Sequence, residues 1–275
     1  MKKVLLAFDG SHFSGAALDF VRRMNEKEPV VLTGAFLPQV DFASLWSMTG
    51  ADGPLLASVP LMEDSTSKEV HDNIQRFESY CRQNKIRFNT HSEFFNFAIP
   101  ELKQESRFAD LLIVSSQEFY KQAGTDSANA YLKEIMHGLE CPLVIIPEKQ
   151  CFPSANILTY DGSASSVFAI RQFAYLFPDL ARNPTTVLHT APSTESGWPH
   201  ESRIRELIKT HFPQVKWELL VLASKDLFSA WLMEHRDTIV VSGSFGRSGI
   251  SMLLKKSFIA DAIDEHQLPV FIAHK

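Results

Sequence analysis

The chain has 275 residues, with 27 Lys and Arg against 32 Asp and Glu, a formal net charge of −5 and 45% hydrophobic residues. That length suits two domains and a core that needs no disulfide staples, and the composition excludes disordered and fibrous classes. The mild acidic excess argues against a protein whose task is to coat nucleic acid, which requires a basic footprint.

The N-terminal apolar run Val4–Phe8 is too short for the core of a signal peptide, and no apolar run is long enough to span a bilayer. The expectation is a protein of the cytoplasm with no membrane partner. The cysteines, Cys81, Cys141 and Cys151, form no Cys-x-x-Cys pair, so they read as buried thiols in a reducing compartment, and the histidines show no metal-ligating spacing.

Along the chain, β-rich runs alternate with helical patterns. The first half predicts strands near 3–8, 30–36, 86–91, 111–115 and 143–147, and helices near 14–24, 64–84, 98–107 and 129–138. The second predicts strands near 156–160, 185–190, 215–221, 238–242 and 269–273, with helices near 165–177, 200–211, 225–235 and 257–266. Continuous apolar strands such as Leu111–Val114 and Thr238–Val241 suit a parallel sheet covered on both faces.

The halves repeat one plan. Val4-Leu-Leu-Ala-Phe-Asp-Gly-Ser11 returns as Asn156-Ile-Leu-Thr-Tyr-Asp-Gly-Ser163. Ala109-Asp-Leu-Leu-Ile-Val-Ser115 returns as Arg236-Asp-Thr-Ile-Val-Val-Ser242, and Cys141-Pro-Leu-Val-Ile-Ile146 as Leu268-Pro-Val-Phe-Ile-Ala273. The first pair lies further apart than the other two, so the first half carries an insertion, most of it Pro38–Pro60, which has loop punctuation. The reading is α/β: two tandem doubly wound domains, 1–148 and 154–275, each a five-stranded mainly parallel sheet with helices on both faces. The last strand of each half, short, apolar and preceded by proline, is expected at a sheet edge, where it would pair with its counterpart.

A sheet of this kind binds ligands beyond the carboxyl ends of its strands, where strand order reverses, here between strands 1 and 4. In the second half that point is flanked by Asp161-Gly162-Ser163 and by Gly243-Ser-Phe-Gly-Arg-Ser-Gly249, with Ser257 opening the last helix. Glycines let backbone amides approach an anion, and a Ser-capped helix start favours phosphate. Asp-Gly-Ser after a strand is also an ordinary way to turn and cap a helix. His235-Arg236-Asp237 is not a kinase loop, since Ser242 stands where its Asn would be. Lys255-Lys256-Ser257 lacks the P-loop glycines, and no nucleophile with a base partner can be named.

The stretch from Gly243 to Ser257, with Leu268-Pro269-Val270 and the strand-Asp-Gly-Ser-helix opening of each half, resembles the universal stress protein family. The resemblance covers nearly the whole chain as two copies and implies an adenine nucleotide alpha hydrolase-like fold. Gly243 and Gly246 match the first two glycines of the family's G-x2-G-x9-G-[ST] motif for ATP, Ser257 matches its hydroxyl, and Asp161 matches its strand 1 aspartate. Lys256 replaces the third glycine: either its Cβ obstructs phosphate or its ammonium bonds it. In the first half Ser116, Phe119, Asn129 and Ala130 stand at the motif positions, so Asp9 reads as a structural turn and no nucleotide is expected there.

What the resemblance implies is a cytoplasmic stress-response regulator, not an enzyme. It would bind ATP, with magnesium, in its second half and act on an unidentified protein partner. It would be paired internally as a pseudo-dimer or assembled as a homodimer. The alternatives are a nucleotide-free interaction protein with both sites decayed and, behind it, an ATP-using hydrolase.

Overall fold

The structure is a computed structural model that describes residues 1–8, 13–36, 64–91, 98–115, 139–148, 152–191, 197–221, 231–232, 234–235, 237–243 and 268–273. The first half contributes β1 (Lys2–Phe8), α1 (Gly15–Lys27), β2 (Val30–Phe36), α2 (Asp64–Gln83), β3 (Arg87–His91), α3 (Ala98–Ser106), β4 (Leu111–Ser115) and β5 (Leu143–Ile146). The second contributes β6 (Ala155–Thr159), α4 (Ala164–Leu176), β7 (Thr185–Ala191), α5 (Glu201–His211), β8 (Val215–Val221), β9 (Thr238–Gly243) and β10 (Val270–Ala273). A single 3₁₀ turn at Leu180–Arg182, not foreseen from the sequence, follows α4. The helices expected at 129–138 and 257–266, most of 225–235, and the 38–60 insertion lie outside the described residues.

The ten strands form one sheet in the order β3-β2-β1-β4-β5-β10-β9-β6-β7-β8. Within each half the order is that of a doubly wound unit, and every pairing is parallel. The halves meet through β5 and β10, which run antiparallel with Val270 opposite Ile145, Phe271 opposite Val144 and Ile272 opposite Leu143. The two short apolar strands expected at an edge thus cover one another.

Strand alternation sends side chains to two cores. Val4, Leu6 and Phe8 face one side with α1, α2, α4 and α5, while Leu5 and Ala7 face the other with Leu102 of α3 and Leu232. The first core runs unbroken across both halves. Phe20 of α1 meets Phe152 at 5.0 Å and Phe177 at 6.1 Å between ring centroids. Phe271 of β10 lies edge-on to Phe173 at 5.4 Å and to Phe177 at 5.9 Å. Such edge-on pairs add to burial because the positive rim of one ring meets the negative face of the next.

Helix α1 illustrates how the sequence sets an element. Ser14 holds the chain extended and its Oγ accepts the Ala17 N–H at 3.2 Å, satisfying one of the free amides of the first turn. Ala17, Leu18, Phe20, Val21 and Met24 then recur at helical spacing and are all buried. Burial pushes the Cys81 and Cys141 thiols up to about 12, so both remain protonated and unreactive at neutral pH. Cys151 lies outside the described residues.

A fully buried phenylalanine at the seam tests whether the halves unfold together. Phe271→Ala should cost about 3–5 kcal/mol. Because Phe271 touches α4 and sits on the strand that pairs with β5, the loss should lower one cooperative transition seen alike by far-UV circular dichroism and tryptophan fluorescence. Two separated transitions in the wild type would contradict a shared core.

Candidate functional site

Strand order reverses in the second half at the carboxyl ends of β6 and β9, the switch point where a doubly wound sheet takes a ligand. These strands pair through Leu158 and Val241 and then diverge. Thr159 ties them at the point of divergence, its hydroxyl donating to the Val241 carbonyl at 2.9 Å.

Asp161 follows immediately and is half-buried. Its Oδ1 accepts the Ser163 N–H at 3.0 Å, making an Asx turn, and Gly162 inside that turn has φ +79°. A Cβ on Gly162 would stand 2.5 Å from Pro199 Cβ, so this glycine answers both a left-handed backbone and a close neighbour. Ser163 then caps α4: its Oγ accepts the Ser166 N–H at 3.1 Å, and the Ser166 hydroxyl donates to the Ser163 carbonyl at 2.9 Å.

Gly243, the last residue of β9, is buried against the first turn of α4. A Cβ there would stand 2.5 Å from the carbonyl carbon of Ser165 and from the amide nitrogen of Ser166. The fold therefore brings Asp161 and Gly243 to one place, because α4 starts from the Asp161 turn and rests on Gly243. Gly246, Lys256 and Ser257 lie outside the described residues, as does Asp9 of the first half.

Several residues at this end of the sheet went unnoticed in the sequence. The Tyr160 hydroxyl donates to the Pro199 carbonyl at 2.6 Å, and its ring stacks on Trp198 at 6.4 Å. His189 Nδ1 lies 2.9 Å from the Tyr160 carbonyl, which only accepts, so that nitrogen carries the proton. Trp198 also meets Trp217 edge-on at 5.0 Å, with Arg205 over the Trp217 ring at 4.4 Å. Desolvation, with the Asp161 charge adding to it, holds the Tyr160 phenol above its ordinary range. This cluster pins the segment before α5 over the β6 turn. Its sequence signal was the Trp198-Pro199 pair ahead of a helix.

At the matching end of the first half, the Ser115 hydroxyl donates to Glu148 at 2.6 Å. In the repeat alignment Ser115 corresponds to Ser242 and Glu148 to Lys275, so the first half carries an acid where the second carries a base. That reversal was readable in the repeat. Among the described residues no three His, Cys, Asp or Glu side chains converge as a metal site, and no helix is long and apolar enough to cross a membrane.

No protein-family profile matches the chain, and no curated relative matches it. Among solved structures, a universal stress protein from Archaeoglobus fulgidus DSM 4304 aligns over 100% of this chain and 96% of its own, with TM-score 0.69 and 13% identity. The chain therefore has the fold of that protein across its whole length. A hypothetical protein aligns over 54% of this chain and 96% of its own at 16% identity, with TM-score 0.31. Acinetobacter baumannii MurG aligns over 100% of this chain and 86% of its own at 9% identity and TM-score 0.22.

The packing of Gly243 gives a direct test. Gly243→Ala forces either β9 or the start of α4 to move, and overpacking of this kind should cost about 1–3 kcal/mol. Urea unfolding of the variant measures it. A stability equal to wild type would mean that the two elements do not touch.

Proposed function

We propose that the chain is a tandem member of the universal stress protein family, with domains 1–148 and 154–275 paired internally as a pseudo-dimer. We read it as a cytoplasmic stress-response regulator that binds ATP, with magnesium, in its second half and signals to a protein partner. The observation that carries the proposal is the meeting of the Asp161 turn and Gly243 at the switch point of the sheet. Two motifs distant in sequence thereby converge at the one crevice where a doubly wound sheet offers a ligand site.

The residues divide by role. Asp161, half-buried at the mouth, suits the hydroxyls of a ribose. Gly243 ends β9 ahead of Gly246, whose backbone amides would hold phosphate together with Ser257, where the sequence predicts a helix start. Bound ATP would supply a change of surface and rigidity rather than a reaction, since no catalytic constellation is proposed. In the first half the Glu148 carboxylate beside Ser115 would repel a phosphate at the corresponding strand end, which supports a single nucleotide per chain.

One observation favours the nucleotide-free alternative. The Asp161 carboxylate and the Ser163 hydroxyl already serve the turn and the cap of α4, and Gly162 and Gly243 are both filled against protein. These residues would keep their identities without any ligand.

Isothermal titration with ATP and magnesium separates the two. The proposal expects one site per wild-type chain and loss of binding in Gly246→Val. Lys256→Gly should strengthen binding if the lysine Cβ obstructs, and weaken it if the ammonium contacts phosphate. No heat at millimolar ATP, or a Gly246→Val affinity equal to wild type, would transfer the case to the interaction protein.

A further inference from the structure

We propose that β8 is a self-complementary edge through which two copies of this chain join their sheets. This inference is independent of the nucleotide reading. Among the described residues, the two ends of the ten-stranded sheet, β3 and β8, each pair on one side only.

The free side of β8 follows from its pairing with β7. Thr185 N donates to the Gln214 carbonyl at 2.8 Å, so in this parallel ladder the even-numbered residues of β8 address β7. The N–H and C=O groups of Val215, Trp217, Leu219 and Val221 therefore point away from the sheet. Apart from Lys216, which is exposed, the strand is half-buried throughout, and it is rich in β-branched, aromatic and aliphatic residues. An edge of that kind is a template for another strand unless something blocks it.

The usual block is an exposed lysine, and Lys216 is 70% exposed. Here, however, the lysine is followed two residues later by Glu218, on the same face, which is paired to it within the strand and also accepts the Trp231 indole N–H at 2.9 Å. An antiparallel two-fold through Trp217 sets Lys216 of each copy opposite Glu218 of the other. On the opposite face it sets Val215 against Leu219 and Trp217 against Trp217. Because the odd residues carry the outward backbone groups, Val215, Trp217 and Leu219 become the hydrogen-bonded pairs. The Lys216 and Glu218 pairs fall at the non-hydrogen-bonded positions, where opposing side chains lie closest. Pro213, which has no N–H, ends the ladder.

The other edge has no such symmetry. β3 reads Arg87-Phe88-Asn89-Thr90-His91, and a two-fold through Asn89 would oppose Arg87 to His91. Arg82 also lies over the Phe88 ring at 5.6 Å. The charge pattern thus selects β8, and selects a second copy of this chain as its occupant.

Sedimentation equilibrium of the full chain, from below one to about 100 µM, reads the association. Wild type should dimerise. Lys216→Glu places acid against acid at both cross-strand positions, and Glu218→Lys places base against base, so each should weaken association about tenfold or more. Mixed in equal amounts, the two variants should restore it, because each then meets its opposite charge in the other. Circular dichroism of each variant controls for folding. Since Lys216 is exposed, Lys216→Glu should keep the fold and is decisive alone. A wild type that stays monomeric throughout would overturn the proposal. So would a dimer that Lys216→Glu leaves intact, or two folded, weakened variants whose mixture does not recover.

Discussion

The antiparallel pairing of β5 with β10 is the contact on which the rest of the architecture depends. Each strand is only four residues long and wholly buried, and each would be an apolar edge if its half stood alone. Opposed in register, they satisfy one another's backbone and turn two five-stranded sheets into one of ten. Phe271 then projects from the seam onto Phe173 and Phe177 of the second half, and Phe177 meets Phe20 of the first. A continuous aromatic core therefore follows from a short ladder. A ladder of this length could not hold two bodies together without that core.

Joining the sheets in this way also fixes what remains exposed. With β5 and β10 consumed, the edge strands among the described residues are β3 and β8, at opposite ends of the sheet. The switch points of the two halves lie between, at β1/β4 and β6/β9, and they are chemically unlike. The first has the Glu148 carboxylate bound to Ser115 at its β4 end. The second has Thr159 bridging to β9 and the capped start of α4 resting on Gly243. One repeat plan thus yields a symmetric frame with chemically different switch points.

The frame was legible in the sequence because its signals are periodic and redundant. The strands announce themselves as apolar runs, the helices as apolar stripes behind a serine cap, and the repeat shows each element twice. Even the β5–β10 pairing follows from two short apolar strands that need cover. The 3₁₀ turn at Leu180–Arg182 escaped because nothing periodic marks three residues, and its anchor is remote: the Asn156 side chain, buried in β6, donates to the Leu180 carbonyl at 2.7 Å. The site was legible only in part. Asp161 and Gly243 were placed at the switch point by fold logic and the structure brings them together there. The Tyr160–His189–Trp198–Trp217 cluster depends on contacts between four separate segments, and only the Trp198-Pro199 pair marked it locally.

The packing around Gly243 changes what its presence signifies. In the sequence, a glycine after the fourth strand looks like an opening for phosphate. In the structure its missing side chain is the room in which α4 sits, so the position demands glycine whether or not a nucleotide is present. The same holds for Gly162, whose positive φ and contact with Pro199 exclude other residues without reference to a ligand. In the repeat alignment the first half carries Ser116 at the position of Gly243. Two of the residues that suggested a nucleotide are therefore explained by helix packing. Gly246, Lys256 and Ser257, the other residues of the nucleotide reading, lie outside the described residues.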